Sequence, residues 1–127
     1  MNIFYIGIGG AMGAITRYLF TMFIDKIIMT PFPIGILLIN AIGSFFVSLL
    51  FFLGEAWYPP HIKIAISVGF LGAFTTFSTY SLQSFEMFRR GQWIQGSINI
   101  ILNNGVALLF VLLGMLCAML ISMSVKK

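Results

Sequence analysis

The stretch GFLGAFTTFSTYS, from Gly69 to Ser81, sets five hydroxyls (Thr75, Thr76, Ser78, Thr79 and Ser81) among the rings of Phe74, Phe77 and Tyr80. Amides join them from elsewhere in the chain. Asn40 lies in the charge-free run LLINAIGSFF, and Asn99, Asn103 and Asn104 lie in a later apolar run. A carboxamide brings two donors and one acceptor, and an aromatic ring is relatively positive along its edge. Phe74, Phe77 and Tyr80 follow at three-residue spacing, so a continuous helix places their rings on one face. Asn99 and Asn103 share a face at four-residue spacing. Hydroxyls, amides and ring edges together make a donor-rich lining without fixed negative charge. Such a lining suits the passage of a small anion. Each residue type also has a plainer use: rings pack, amides bond helix to helix, and hydroxyls bond back to a carbonyl one turn earlier and bend the helix.

The missing groups narrow the chemistry further. Asp25, Glu55 and Glu86 are the carboxylates, and all stand at the ends of apolar segments. Proton-coupled transport usually needs a titratable group within the membrane. No serine–histidine or cysteine–histidine pairing and no glycine-rich phosphate loop points to an enzyme. His61 lacks neighbouring ligands for a transition metal, and Cys117 is a lone thiol inside an apolar run. Arg17 is the one charge embedded in an apolar run; it either draws anions into a vestibule or snorkels to the interface.

The elements that must position these groups follow from hydropathy. The chain has 127 residues, 60% hydrophobic and 8% charged, with a mean hydropathy of +1.06. That composition describes an integral membrane protein. Four apolar runs, Ile3–Ile24, Ile34–Leu53, Ile64–Phe85 and Ile94–Val125, each reach the roughly 20 residues that cross a bilayer core as helix. The fourth exceeds that length and must tilt or extend into the headgroups. MNIFYIGIGG has no positive n-region, so the first run reads as a helix and not as a cleavable signal. One all-α domain over residues 1–127 is expected, with Pro31 and Pro33 separating the first two helices and Trp57, Tyr58 and Trp93 as interfacial anchors.

Gly69 and Gly72 allow the third helix to approach a neighbour or to leave helical geometry. In a bilayer, opened backbone must be buried in protein or line an aqueous cavity, where its carbonyls serve as ligands for hard cations such as Na⁺. The small residues of GIGGAMGA, with Gly9 and Gly13 four apart, permit close helix approach either within the chain or across a dimer seam. The net charge of +4 is ordinary for a membrane protein and asks for no nucleic acid. Lys63, Lys126 and Lys127 fall on one side of the membrane against Lys26, Arg89, Arg90 and, if it lies towards that end of the first helix, Arg17 on the other. Three against four is a weak instruction under the positive-inside rule, which is compatible with insertion in both orientations. A bundle of four helices leaves little room at its centre, so a pathway is expected between two copies.

GGAMGAITRY (Gly9–Tyr18), PIGILLINAIGSFF (Pro33–Phe46) and GFLGAFTTFSTYS resemble the three signatures of the Fluc/CrcB family of fluoride channels, in order and over most of the chain. The resemblance implies an antiparallel, dual-topology dimer with a break in the third helix and two pores. It implies a passive channel that lets cytoplasmic fluoride leak out across the bacterial plasma membrane. It also implies a structural Na⁺ at the dimer centre on backbone carbonyls, here those of Gly72 and Thr75. The family's paired pore phenylalanines fall on Phe77 and Tyr80, its pore asparagine on Asn40, its vestibule arginine on Arg17, and its polar track on Asn99 and Asn103. The hydroxyls of Thr76, Ser78 and Thr79 complete the expected lining. Tyr80 stands where Phe is usual, and Gln83 where Glu often stands. Asn99 and Asn103 replace Tyr and Ser, and Ala107 brings no hydroxyl. Some members pair two different chains, so a homodimer and a heterodimer with a paralogous chain both fit. A small multidrug/proton antiporter would need an acidic residue inside its first helix, and none is there. A non-conducting assembly subunit accounts for the glycines but leaves the crowded hydroxyls unexplained.

Overall fold

The computed structural model describes residues 2–54 and 57–125. Glu55, Lys126 and Lys127, which entered the charge reading above, lie outside the described residues. The described chain is helical throughout: α1 (Asn2–Ile27), α2 (Ile34–Leu53), α3 (Pro60–Ile64), a π-helical segment (Ala65–Leu71), α4 (Gly72–Phe74), α5 (Phe77–Arg89) and α6 (Trp93–Val125). Four stretches are long and apolar enough to cross a membrane: α1, α2, Pro60–Arg89 and α6. The 33 residues of α6 extend about 50 Å at 1.5 Å per residue, more than a bilayer core requires.

Prolines and one glycine delimit these elements. Pro33 caps α2, and Pro60 occupies the first turn of α3, where a missing N–H costs nothing. Between α5 and α6 the chain turns at Gly91, whose φ of 74° favours glycine. There Gly91 N–H bonds the Phe88 carbonyl and Gln92 N–H bonds the Met87 carbonyl. This is the double bond of a Schellman ending. The tight turn makes α5 and α6 an antiparallel hairpin.

Helix α2 is the central element and the most buried of the four long stretches. Ile36, Ile39, Asn40, Ala41 and Gly43 give it more than one buried face, and Leu50 and Leu53 continue the burial towards its end. It runs against α6, where Ser48 Oγ donates to the Val111 carbonyl at 2.6 Å. A Cβ at Gly114 would lie 3.0 Å from Ser48 Cβ, so glycine sets that approach. Helix α1 packs chiefly on the π-helical segment. A Cβ on Gly13 would fall 2.9 Å from the Phe70 carbonyl carbon, and one on Gly9 3.0 Å from Phe70 N. Gly69 returns the contact, its added Cβ falling 2.8 Å from the Ile6 carbonyl oxygen. Gly9, Gly13 and Gly69 thus serve packing within the chain. Gly7 has open space around it.

The common face expected for Phe74, Phe77 and Tyr80 does not form. Thr75 and Thr76 are extended (φ/ψ −80°/155° and −151°/120°) and rotate α5 out of the register of α4. Phe74 is buried, stacked on Phe70 at 5.8 Å and edge-on to Phe20 at 6.3 Å. Phe77 instead is 72% exposed on the single chain. The three-residue spacing assumed continuous helix, and two extended residues cancel it.

Candidate functional site

The site is built around those two extended residues. Each N–H of a continuous helix would bond the carbonyl four residues back. Thr76 N–H would close on Gly72 and Thr79 N–H on Thr75. Thr76 N–H goes instead to Asn40 Oδ1 at 2.9 Å, and Thr79 N–H to Thr76 Oγ1 at 3.3 Å. The carbonyls of Gly72 and Thr75 therefore lack their helical donors. Thr76 acts as N-cap of α5, an ordinary role for a threonine hydroxyl in extended geometry.

Asn40 bonds both sides of Thr76, accepting from its N–H and donating from Nδ2 to its carbonyl at 3.1 Å. The second hydrogen of the same Nδ2 goes to Asn103 Oδ1 at 2.8 Å. Asn103 Nδ2 donates to Asn99 Oδ1 at 2.9 Å and to the Asn99 carbonyl at 3.0 Å. Asn99 Nδ2 donates to Ser84 Oγ at 2.9 Å, and Ser84 Oγ donates to the Tyr80 carbonyl at 2.8 Å. All the donors point one way along this chain, from Thr76 to Tyr80. Asn99 is fully buried, and Asn40 and Asn103 nearly so. Three amides in an apolar setting are tolerable because each oxygen and each nitrogen is engaged.

The hydroxyls divide into two groups. Thr75, Ser81 and Ser84 bond back to carbonyls one turn earlier, on Leu71, Phe77 and Tyr80. Thr76 Oγ1 instead lies 3.3 Å from Ser78 Oγ and 3.0 Å from Thr79 Oγ1, a small cluster at the start of α5. Phe77 and Tyr80 meet edge to face, with centroids 4.9 Å apart and planes at 78°. This geometry turns one ring's positive edge onto the other's electron-rich face.

A cavity of about 450 Å³ opens beside the interruption. Asn40 and Ser44 on α2, Thr75 and Thr76, Phe77 and Tyr80 on α5, and Asn103, Asn104 and Ala107 on α6 contribute to its wall. Among the described residues no carboxylate lines it. Thus Asn40, Phe77, Tyr80, Thr76, Thr75 and Asn103 converge on one cavity. Ser78 and Thr79 join it through the hydroxyl cluster, and Asn99 lies behind the wall as a link of the amide chain. Among the described residues the one salt bridge is Arg90–Glu86. Arg17 stands apart on α1 and is half-buried. It lies ten residues before Ile27, or about 15 Å of helical rise, a long way for its side chain to reach that end.

The description "CrcB-like protein, Camphor Resistance (CrcB)" belongs to the family whose model matches residues 4–115. The chain belongs to the CrcB family. Among curated relatives, the "Fluoride-specific ion channel FluC" of Shewanella sp. (strain W3-18-1) is 39% identical over 114 residues, covering 89% of this chain and 92% of the relative. Proteins of the same name from Shewanella loihica and Shewanella baltica (strain OS185) are 40% and 37% identical over the same coverage.

Seen as a CrcB-family chain, it carries two site residues that residue types alone did not single out. Ser84 ends the amide chain, and Ser44 adds a hydroxyl to the cavity wall. The signal for Ser84 was its distance from the turn. Ser84 stands seven residues before Gly91 and Asn99 eight after it, and an antiparallel hairpin brings such positions face to face. Gln83 has the one buried side-chain polar atom without a partner among the described residues, its Oε1.

Proposed function

We propose that this protein is a fluoride-selective passive channel that releases cytoplasmic fluoride across the bacterial plasma membrane and so relieves its toxicity. The observation that carries the reading is the cavity at the interrupted helix, walled by hydroxyls, amides and a ring pair and free of carboxylate. The relatives named fluoride-specific ion channels support it. Fluoride is small and strongly hydrated, so a selective path must replace its water with fixed donors. The hydroxyl cluster of Thr76, Ser78 and Thr79 and the ring edges of the Phe77–Tyr80 pair that are left free by their mutual contact supply them. Asn40 holds both donors on protein acceptors, so its role is to hold the interruption open and orient Thr76. Asn103 and Asn99 brace it from behind. Arg17 raises the anion concentration in the vestibule.

The working unit is an antiparallel dimer of two copies of this chain, or of this chain with a paralogue. Phe77 and Gly72, both exposed on one chain, then face the partner. A structural Na⁺ at the dimer centre fits the chain, because the carbonyls of Gly72 and Thr75 have lost their helical donors to Asn40 and Thr76. Oxygen ligands of this kind suit a hard cation. Such an ion would join the two interrupted helices and take no part in conduction.

The test is direct. The purified protein is reconstituted in liposomes and fluoride efflux is followed with an ion-selective electrode. Fluoride efflux with chloride retained is the expected result. Equal passage of chloride, or no passage by a verified dimer, refutes the assignment.

A further inference from the structure

The Tyr80 hydroxyl occupies a position where a ring alone would serve for packing. The residue is 6% exposed and contributes to the cavity wall. Its hydroxyl oxygen lies 3.3 Å from Asn104 Nδ2. That amide cannot be turned over. The same nitrogen stands 2.7 Å from the Ile100 carbonyl, which only accepts, so the atom between them has to be the NH₂ group. Asn104 therefore donates to the phenol oxygen, and the phenol proton must point elsewhere. Among the described residues the phenol donates no hydrogen bond. Tyr80 lines the cavity, so the proton left free by Asn104 is available to an acceptor that enters there.

We propose that the Tyr80 hydroxyl is a hydrogen-bond donor subsite for fluoride in this cavity, with Asn104 as the positioning residue that fixes the direction of its proton. The proposal rests on the fluoride-channel reading and adds to it a full O–H donor, beyond the weak positive rim of a ring. Fluoride is the smallest halide and the strongest acceptor among them, and an O–H bond to an anion is short and strong. A hydroxyl donor carries no full positive charge, so it attracts a passing anion without the deep trap a lysine or arginine would make. Held proton-first by Asn104, it needs no reorientation when the ion arrives.

The experiment compares the wild-type protein, Tyr80→Phe, Asn104→Ala and the double variant, all reconstituted in liposomes. Tyr80→Phe keeps the ring and removes one oxygen. It is expected to lower fluoride efflux at low fluoride by about tenfold, the scale of one hydrogen bond to a charged group. The fluoride-to-chloride ratio should fall with it. Asn104→Ala should give a smaller loss, and the double variant should be no worse than Tyr80→Phe, because Asn104 acts through the phenol. Fluoride added to the solubilised wild type should also produce a tyrosine difference band in the near ultraviolet that Tyr80→Phe lacks. Undiminished efflux through Tyr80→Phe, or loss of efflux with the tyrosine band unchanged, overturns the subsite while leaving the channel reading standing. A wild-type protein that passes no fluoride removes both.

Discussion

At the scale of single residues, Asn40 is the side chain on which the site depends most. Three separate groups rely on it: Thr76 N–H, the Thr76 carbonyl and Asn103 Oδ1. Asn40→Leu keeps the volume and withdraws all three partners. Leaving buried polar groups unsatisfied costs about 1–3 kcal/mol each, so the variant should lose at least about 3 kcal/mol of stability. Unfolding in detergent, followed by circular dichroism, measures it, and an unchanged midpoint would contradict the hydrogen-bond geometry. Phe77 should behave in the opposite way. Its ring is largely exposed on one chain and supports little of the fold. Phe77→Ile is expected to reduce fluoride efflux sharply while the protein elutes from a sizing column as the wild type does. Normal efflux would remove the ring from the pathway.

At the scale of elements, the glycines of α1 make the prediction. Gly13 faces the Phe70 backbone and Gly7 faces open space. Gly13→Ala forces α1 away from the π-helical segment and should cost about 1–3 kcal/mol, the usual penalty of overpacking. Gly7→Ala should be neutral or raise stability by up to about 1 kcal/mol through helix propensity. Thermal melts of the two variants side by side decide this, and equal destabilisation would sink the packing assignment. The four long helices were legible because charge and proline divide the apolar runs cleanly, and Asn40 because an amide in a charge-free run is conspicuous. The phase of the rings was not legible. Thr75 and Thr76 leave the helix because Asn40, 36 residues upstream, takes the Thr76 N–H, and no local pattern announces so distant a partner. The π geometry of Ala65–Leu71 was not legible either; it occurs where Gly9, Gly13 and Gly69 bring α1 close to this segment. Ser84 became visible only once the Gly91 turn fixed which residues of α5 and α6 stand opposite each other.

At the scale of the whole molecule, a single chain leaves its cavity open and its Phe77 ring bare. Completing both is the task proposed for a second copy, with Na⁺ between the two. If that ion joins the copies, the melting temperature of the purified dimer should climb with Na⁺ concentration, following mass action, and should stay flat when N-methylglucamine replaces Na⁺. Differential scanning fluorimetry across a Na⁺ series measures this, and identical curves for the two cations would count against the ion. The near-even distribution of basic residues between the two ends suits copies that insert in opposite senses.

The amide chain starts at the Thr76 N–H and returns to the Tyr80 carbonyl of the same helical stretch after visiting α2 and α6. It is a closed circuit. Sliding one of these helices past another by a single residue would break several of its links together, so the circuit favours the one register seen here. On the proposed channel reading, fluoride would then meet an aperture braced from three helical segments, and its passage should follow the supply of ions at the mouths.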